Sequence, residues 1–413
     1  MAAKKQMIIL WVGLLALLIL LIVMSGLGSA PATASKVMGY EDQIFKADRI
    51  HRIELYLEDW EGFLQTHEKD TGCTVVINGE RLENVALRAT HDSASDSLPE
   101  IDSGRYSFQL EFDRYDKEQT YHQLDTLKLN NLYQDPTMMK EYLSYRMMDE
   151  MGIPSPLCSY TTVYVNGRSL GIYLAVEAME ESFLVRWFGE EHGTLYAPQA
   201  VGSAQDAMLQ YLGDDPESYP NLVDHAVTPV TQEDKTRLIR ALQRLSTGEK
   251  LKTVLDVEAV IRYFAVHNFL CNDSSYTGTA VHNYHLYEQD GKLSMLPRDY
   301  NLAFGGNGTG NDVASRSIWA PVTQGDMESR PMLSWIFGSK RYTWLYQRYY
   351  TQMLYLDTET IIDRTYKMIA PYIYRDPTRL CTFEEFTEGV DNLKQFLELR
   401  EESVRQQIRR IGK

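Results

Sequence analysis

Three familiar enzyme signatures are missing from this chain of 413 residues: it holds no Gly-x-Ser-x-Gly elbow, no Walker phosphate loop and no HExxH pair. Serine-hydrolase, P-loop and zincin readings therefore lack support. Cysteine is scarce, with four residues at 73, 158, 271 and 381, and none of them forms a CxxC pair or stands at ligand spacing from a histidine. The pattern predicts buried thiols, with a disulfide left open if the compartment is oxidising. His267, His282 and His285 likewise lack metal-ligand spacing and read as packed side chains. Positive charge is short too: 41 Lys and Arg against 57 Asp and Glu leave a net charge of −16. A nucleic-acid backbone would be repelled on balance, so no nucleic-acid partner is expected. No repeat or low-complexity tract is evident.

What remains is the composition of a packed globule, 44% hydrophobic and 11% aromatic, with 27 tyrosines. Residues 1–6 carry Lys4 and Lys5 and are expected in the cytoplasm, ahead of an unbroken apolar run from Met7 to Met24. At about 1.5 Å per residue that run spans about 27 Å, close to the hydrocarbon thickness of a bilayer. The run predicts a membrane anchor with the rest of the chain extracytoplasmic, or a signal segment cleaved after Ala34 and a secreted protein.

Residues 25–50 read as a linker. Residues 51–200 are sheet-rich, with "HRIELYL", "CTVVING", "NVALRAT", "YSFQLEFD" and "LDTLKLN" alternating apolar and polar positions. One helix is expected there, after Asp135 as cap and Pro136 in its first turn. Asn166-Gly167 then joins two further strands as a tight hairpin. Residues 201–413 are mostly helical and enclose the hairpin "HNYHLYEQDGKLSMLPRDYNLAFGG". That order predicts an α+β, protein-kinase-like bilobal fold. A small antiparallel-sheet N-lobe would carry one helix, and a larger helical C-lobe would hold a metal-binding hairpin.

Three stretches carry a resemblance: "LDTLKLNNLYQDPTMMKEYLSYRMMDEMGIPSPLCSYTTVYVNGRSLGIYLAVE", "VIRYFAVHNFLCND" and the hairpin just quoted. Over residues 51–410 the chain resembles the spore coat protein H (CotH) kinase family, atypical protein kinases. The resemblance implies ATP and Mg²⁺ (or Mn²⁺) as cofactors and a protein substrate offering a Ser or Thr hydroxyl on an envelope or coat protein. Asp299, after a strand, has the carboxylate suited to that hard cation, and Asn283 would be the second ligand. The family usually shows Asn-x-Asp-Ser-Tyr where this chain has Asn272-Asp273-Ser274-Ser275-Tyr276. Either Asp273 shifts to accept the substrate proton, or the base is missing. The usual Lys-Gly-Asn-Ser turn is also absent from "LRATHDSASDS", Ala197 replaces a lysine, and Arg298 replaces a tryptophan. Arg105 is then the basic residue expected to neutralise phosphate, paired with Glu141, unless it is only a strand-edge arginine. Glu177 is expected near the adenine. These departures leave open an alternative, a catalytically impaired, pseudokinase-like scaffold that binds a protein partner.

Overall fold

Among the described residues, the first half of the chain forms seven strands, each with an apolar face, the last two buried on both faces. They are β1 (His51–Tyr56), β2 (Thr71–Ile77), β3 (Glu80–Thr90), β4 (Ser107–Glu111), β5 (Thr126–Asn130), β6 (Cys158–Val165) and β7 (Arg168–Glu177). In the computed structural model, which describes residues 36–66, 69–90, 104–198, 205–278, 281–306, 311–323 and 325–411, they close into a barrel in the order β1-β2-β3-β4-β5-β7-β6. Neighbours run antiparallel except at β1 and β6, which pair in parallel from His51–Thr161 to Leu55–Val165. A ring with an odd number of strands cannot alternate direction all the way round, so one parallel seam is unavoidable. Ile53, Val75, Leu87, Phe108, Leu129 and Tyr173 fill its interior.

The closed barrel overturns the expected protein-kinase-like bilobal fold with its small, open antiparallel-sheet N-lobe. Closure lets the edge groups of β1 and β6 satisfy each other, which removes the hazard of an open edge. The barrel interior is one core, and a second lies against its outside. The outer face of β6 and β7, with Cys158, Tyr160, Ile172 and Leu174, shares one core with helices from the rest of the chain.

Twelve α-helices lie among the described residues. In chain order they are α1 (Gly39–Ile44), α2 (Trp60–Gln65), α3 (Lys140–Glu150), α4 (Glu181–Phe188), α5 (Pro220–Val223) and α6 (Gln232–Thr247). They continue with α7 (Val257–Leu270), α8 (Asn311–Ala314), α9 (Pro331–Ser334), α10 (Lys340–Met353), α11 (Thr358–Arg375) and α12 (Phe383–Ile411). A second sheet of three antiparallel strands, in the order β10-β9-β8, joins β8 (Thr194–Tyr196), β9 (Tyr284–Gln289) and β10 (Lys292–Pro297).

Local signals fall where the chemistry puts them. Asn166-Gly167 links β6 to β7 with both residues at positive φ (49° and 83°), as a two-residue hairpin turn requires. Asp135 does cap α3, its carboxylate accepting from the Met139 and Lys140 amides at 2.8 Å, but the helix begins at Lys140 rather than at Pro136. Within the stretch read as linker, α1 buries Tyr40 and Ile44. The thiols of Cys73, Cys158 and Cys271 are free and buried, and that of Cys381 is free and half-buried.

Arg400, fully buried on α12, donates to the carbonyls of Asn268, Phe269, Ala314 and Arg316. It thereby ties the last helix to the end of α7 and to the segment carrying Arg316. Among the described residues no helix is long and apolar enough to cross a membrane. The anchor or signal run 7–24, the cleavage site after Ala34 and the loop expected to lack the glycine turn (91–103) lie outside the described residues.

Candidate functional site

The β9–β10 hairpin builds one side of the site by its register. Tyr284 pairs with Pro297, so Asn283 just before β9 and Asp299 just after β10 come side by side. Both are in the left-handed region, at φ 52° and 50°, as is Cys271 (φ 50°) where α7 ends. Each such residue costs of order 1 kcal/mol, least for Asn and Asp, and is kept only where its surroundings hold it. Asn272 does that holding: its Nδ2 donates to the Asp299 carbonyl at 3.0 Å and its Oδ1 accepts from the Ser274 amide at 3.2 Å.

Asn283 Nδ2 donates to Asp299 Oδ2 at 3.3 Å and to Ser274 Oγ at 3.1 Å, and Ser274 Oγ lies 2.9 Å from His282 Nε2. Burial lowers the His282 pKa and the Arg298 charge adds to that, while Asp299 opposes it, so the imidazole is neutral near pH 7. Asn283 Oδ1 is buried without a hydrogen-bond partner. A carboxylate beside an acceptor that no donor satisfies suits a hard cation, which takes one or two protein oxygens and completes its shell with phosphates and water. Among the described residues no cluster of three or more His, Cys, Asp or Glu could hold a metal unaided.

The barrel supplies the opposite side. On β5 the alternation sends Leu127 and Leu129 into the barrel and leaves Thr126, Lys128 and Asn130 on its outer face. Asn130 Nδ2 bridges Glu141 Oε2 on α3 (2.5 Å) and Asn301 Oδ1 (2.9 Å), two residues past Asp299. Glu141 Oε1 accepts from Tyr145 at 2.9 Å. A polar chain therefore runs Ser274–Asn283–Asp299–Asn301–Asn130–Glu141, the backbone amide of Asn301 reaching Asp299 Oδ1 at 3.2 Å.

Lys128 keeps part of its side chain in solvent, but its ammonium is crowded by protein atoms and charge. Dehydration lowers its pKa, with Arg298 second, while Glu180, Glu141 and Asp299 pull the other way. Glu180 is the acid most changed: burial pushes it up to about 7, against the Thr126 hydroxyl and the Lys128 charge, and its Oε1 has no hydrogen-bond partner. The sequence reading missed Lys128, Asn130 and Glu180. The first two had a signal, a lysine and an asparagine two apart on the polar face of "TLKLN"; Glu180 had none.

Not every expected residue joins this group. Arg105 is fully buried and donates to Asp376 Oδ2 (2.7 Å), the Ile172 carbonyl (2.6 Å) and the Thr378 carbonyl (3.1 Å). It clamps the barrel to the end of α11, and the expected pairing with Glu141 does not form. Glu177 is also buried, held by Arg186 (2.5 and 2.9 Å), the Leu157 amide (2.9 Å) and the Tyr40 hydroxyl. Its oxygens are spent on fixing α4 and α1 to the barrel. Asp273 points away from Asn283, its two oxygens taken by Arg316 at 2.5 and 2.8 Å. Ser274, not Asp273, faces the hairpin. A separate cavity of about 700 Å³ opens between residues 132–140 and α12, and neither Asp299, Asn283 nor Ser274 lines it.

With this geometry in hand, comparison with known proteins decides the family. The family profile described as CotH kinase protein matches residues 100–404. The chain belongs to the CotH kinase protein family. The matched span takes in β5, α3 and the whole hairpin. The chain is 23% identical over 344 residues to the inner spore coat protein H of Bacillus subtilis (strain 168), covering 80% of this chain and 89% of that protein. A shorter match, 40% identical over 52 residues, links it to the inner spore coat protein H-like protein of the same organism, over 13% of this chain and 17% of that one.

Proposed function

We propose that this CotH-family protein is a Mg²⁺- or Mn²⁺-dependent phosphotransferase. It moves the terminal phosphate of ATP to a Ser or Thr hydroxyl of an extracytoplasmic, envelope or coat protein. The observation that carries the reading is the convergence, through one polar chain, of Asp299 and Asn283 with the barrel residue Asn130, beside Lys128 whose charge interacts with Asp299. Phosphoryl transfer asks chiefly for positioning and charge neutralisation, and these residues offer both. Asp299 and Asn283 Oδ1 would hold the divalent cation, which neutralises phosphate charge when bound. Lys128 and Arg298 add positive charge near that carboxylate. The coat setting rests on the names of the relatives, and the extracytoplasmic side on the apolar run at 7–24.

A second reading has an observation of its own. With Asp273 bound to Arg316 and a serine at the expected base position, a nucleotide-binding scaffold that holds a protein partner is the competing function. Radiolabelled ATP with the full chain and an added protein acceptor separates the two. Transfer is expected in the wild type and lost in Asp299→Asn, by more than about a thousandfold if several kcal/mol of charge stabilisation disappear. Equal transfer by both proteins would remove Asp299 from the chemistry; saturable ATP binding with no transfer by either would establish the scaffold.

A further inference from the structure

The hydroxyl of Ser274 is placed as a nucleophile. Its Oγ lies 2.9 Å from His282 Nε2 and 3.1 Å from Asn283 Nδ2, and that same nitrogen reaches Asp299 Oδ2 at 3.3 Å. One amide group thus separates the serine oxygen from the carboxylate at the centre of the site. An imidazole nitrogen within hydrogen-bond reach of a serine hydroxyl is the pairing that activates such an oxygen. The neighbouring Ser275 shows the contrast. It is fully buried and its hydroxyl donates to the Asn272 carbonyl at 2.6 Å, whereas Ser274 is only half-buried.

The carboxylate that could activate an outside hydroxyl is turned elsewhere. Asp273 gives both oxygens to Arg316, whose own carbonyl is fixed by Arg400 (2.6 Å) and Gln407 (3.1 Å). The Arg316 segment is therefore pinned to α12, and the 273–274 turn presents the serine rather than the acid to Asn283.

We propose that Ser274 is itself a phosphoryl acceptor of the site, a self-modification that rests on the phosphotransferase reading above. Ser274 Oγ attacks the γ-phosphorus of ATP. The Oγ–P bond forms as the bond between that phosphorus and the β–γ bridging oxygen breaks. ADP leaves with the electron pair, and the hydroxyl proton passes to His282 Nε2. The product is a phosphoserine beside Asn283.

The full chain, kept in mild detergent because of residues 7–24, is incubated with Mg²⁺-ATP or Mn²⁺-ATP, digested and mapped by tandem mass spectrometry. The expected result is phosphate on Ser274, absent from Asp299→Asn and formed at least about 10²-fold more slowly in His282→Gln, the scale of a lost general base. Mapping the wild type makes the result independent of whether a Ser274 variant folds. Phosphate on other hydroxyls or on an added protein, with Ser274 bare, overturns the inference and leaves the phosphotransferase standing. Binding of Mg²⁺-ATP with no phosphate anywhere overturns the inference in favour of the scaffold. Absence of both binding and transfer overturns the inference together with the reading beneath it.

Discussion

The two sides of the site are built on different principles. On the hairpin side, Asn283 and Asp299 sit in left-handed backbone and hydrogen-bond to each other, so their geometry is set before any ligand arrives. On the barrel side the backbone is ordinary strand, and what is unusual is charge. Lys128 stands among Glu180, Glu141, Asp299 and Arg298, and Glu180 keeps a buried oxygen without a partner. One side stores its readiness in conformation, the other in electrostatics. Substitutions on the hairpin should therefore disturb shape as well as binding, whereas replacing Lys128 on the β5 face should change binding alone.

The barrel itself offers a sharper contrast between Arg105 and Lys128. Both are cations of the sheet region, but Arg105 is sealed behind Asp376 and two carbonyls, whereas part of Lys128 reaches solvent. Breaking a buried ion pair by removing one partner typically costs about 3–5 kcal/mol, because the other charge is left uncompensated. Arg105→Met is expected to lower stability by that amount in urea denaturation, through Asp376. ATP affinity of the folded fraction should stay unchanged. A wild-type denaturation midpoint with lost ATP binding would move Arg105 back into the site.

Lys128→Met is the inverse test. A charge-assisted hydrogen bond to a phosphate is worth about 1.5–3 kcal/mol, or about 10–100-fold in Kd. Calorimetric titration with Mg²⁺-ATP should show a loss of that size, with urea unfolding unchanged. If affinity holds and unfolding shifts instead, the division between a structural and a ligand-facing cation fails.

The same contrast explains what could be read before the fold was known. The placement of Asp299 beside Asn283 was legible because the hairpin that brings them together is made of the residues between them. The Asn166-Gly167 turn and the Asp135 cap are local in the same sense. Arg105 was misread because its partner Asp376 is 271 residues away, and nothing near Arg105 in sequence announces that it will be buried. Barrel closure hid for the same reason: each strand is visible in its alternation, but the pairing of His51 with Thr161 is written in neither strand. Lys128 was overlooked although its strand was seen, because the polar face of a half-buried strand usually faces only water. His282 was set aside as a packing residue, and only the three-dimensional approach of Ser274 gives it a reactive neighbour.

The smallest expected effect belongs to Asp273, and it bears on which residue of the 273–274 turn faces the chemistry. Its carboxylate is half-exposed and paired with Arg316, and exposed ion pairs contribute between about 0 and 1 kcal/mol. Asp273→Ala should therefore shift stability by no more than that. It should leave phosphate transfer within a few-fold of wild type, since the Ser274–His282–Asn283 contacts do not involve it. If Asp273 were the base, the same substitution would cost about 10²–10⁴-fold in transfer at unchanged ATP affinity. A loss on that scale would mean that Arg316 releases the carboxylate when substrate binds. The hairpin side of the site would then rearrange on binding, and its preset geometry would no longer distinguish it from the barrel side.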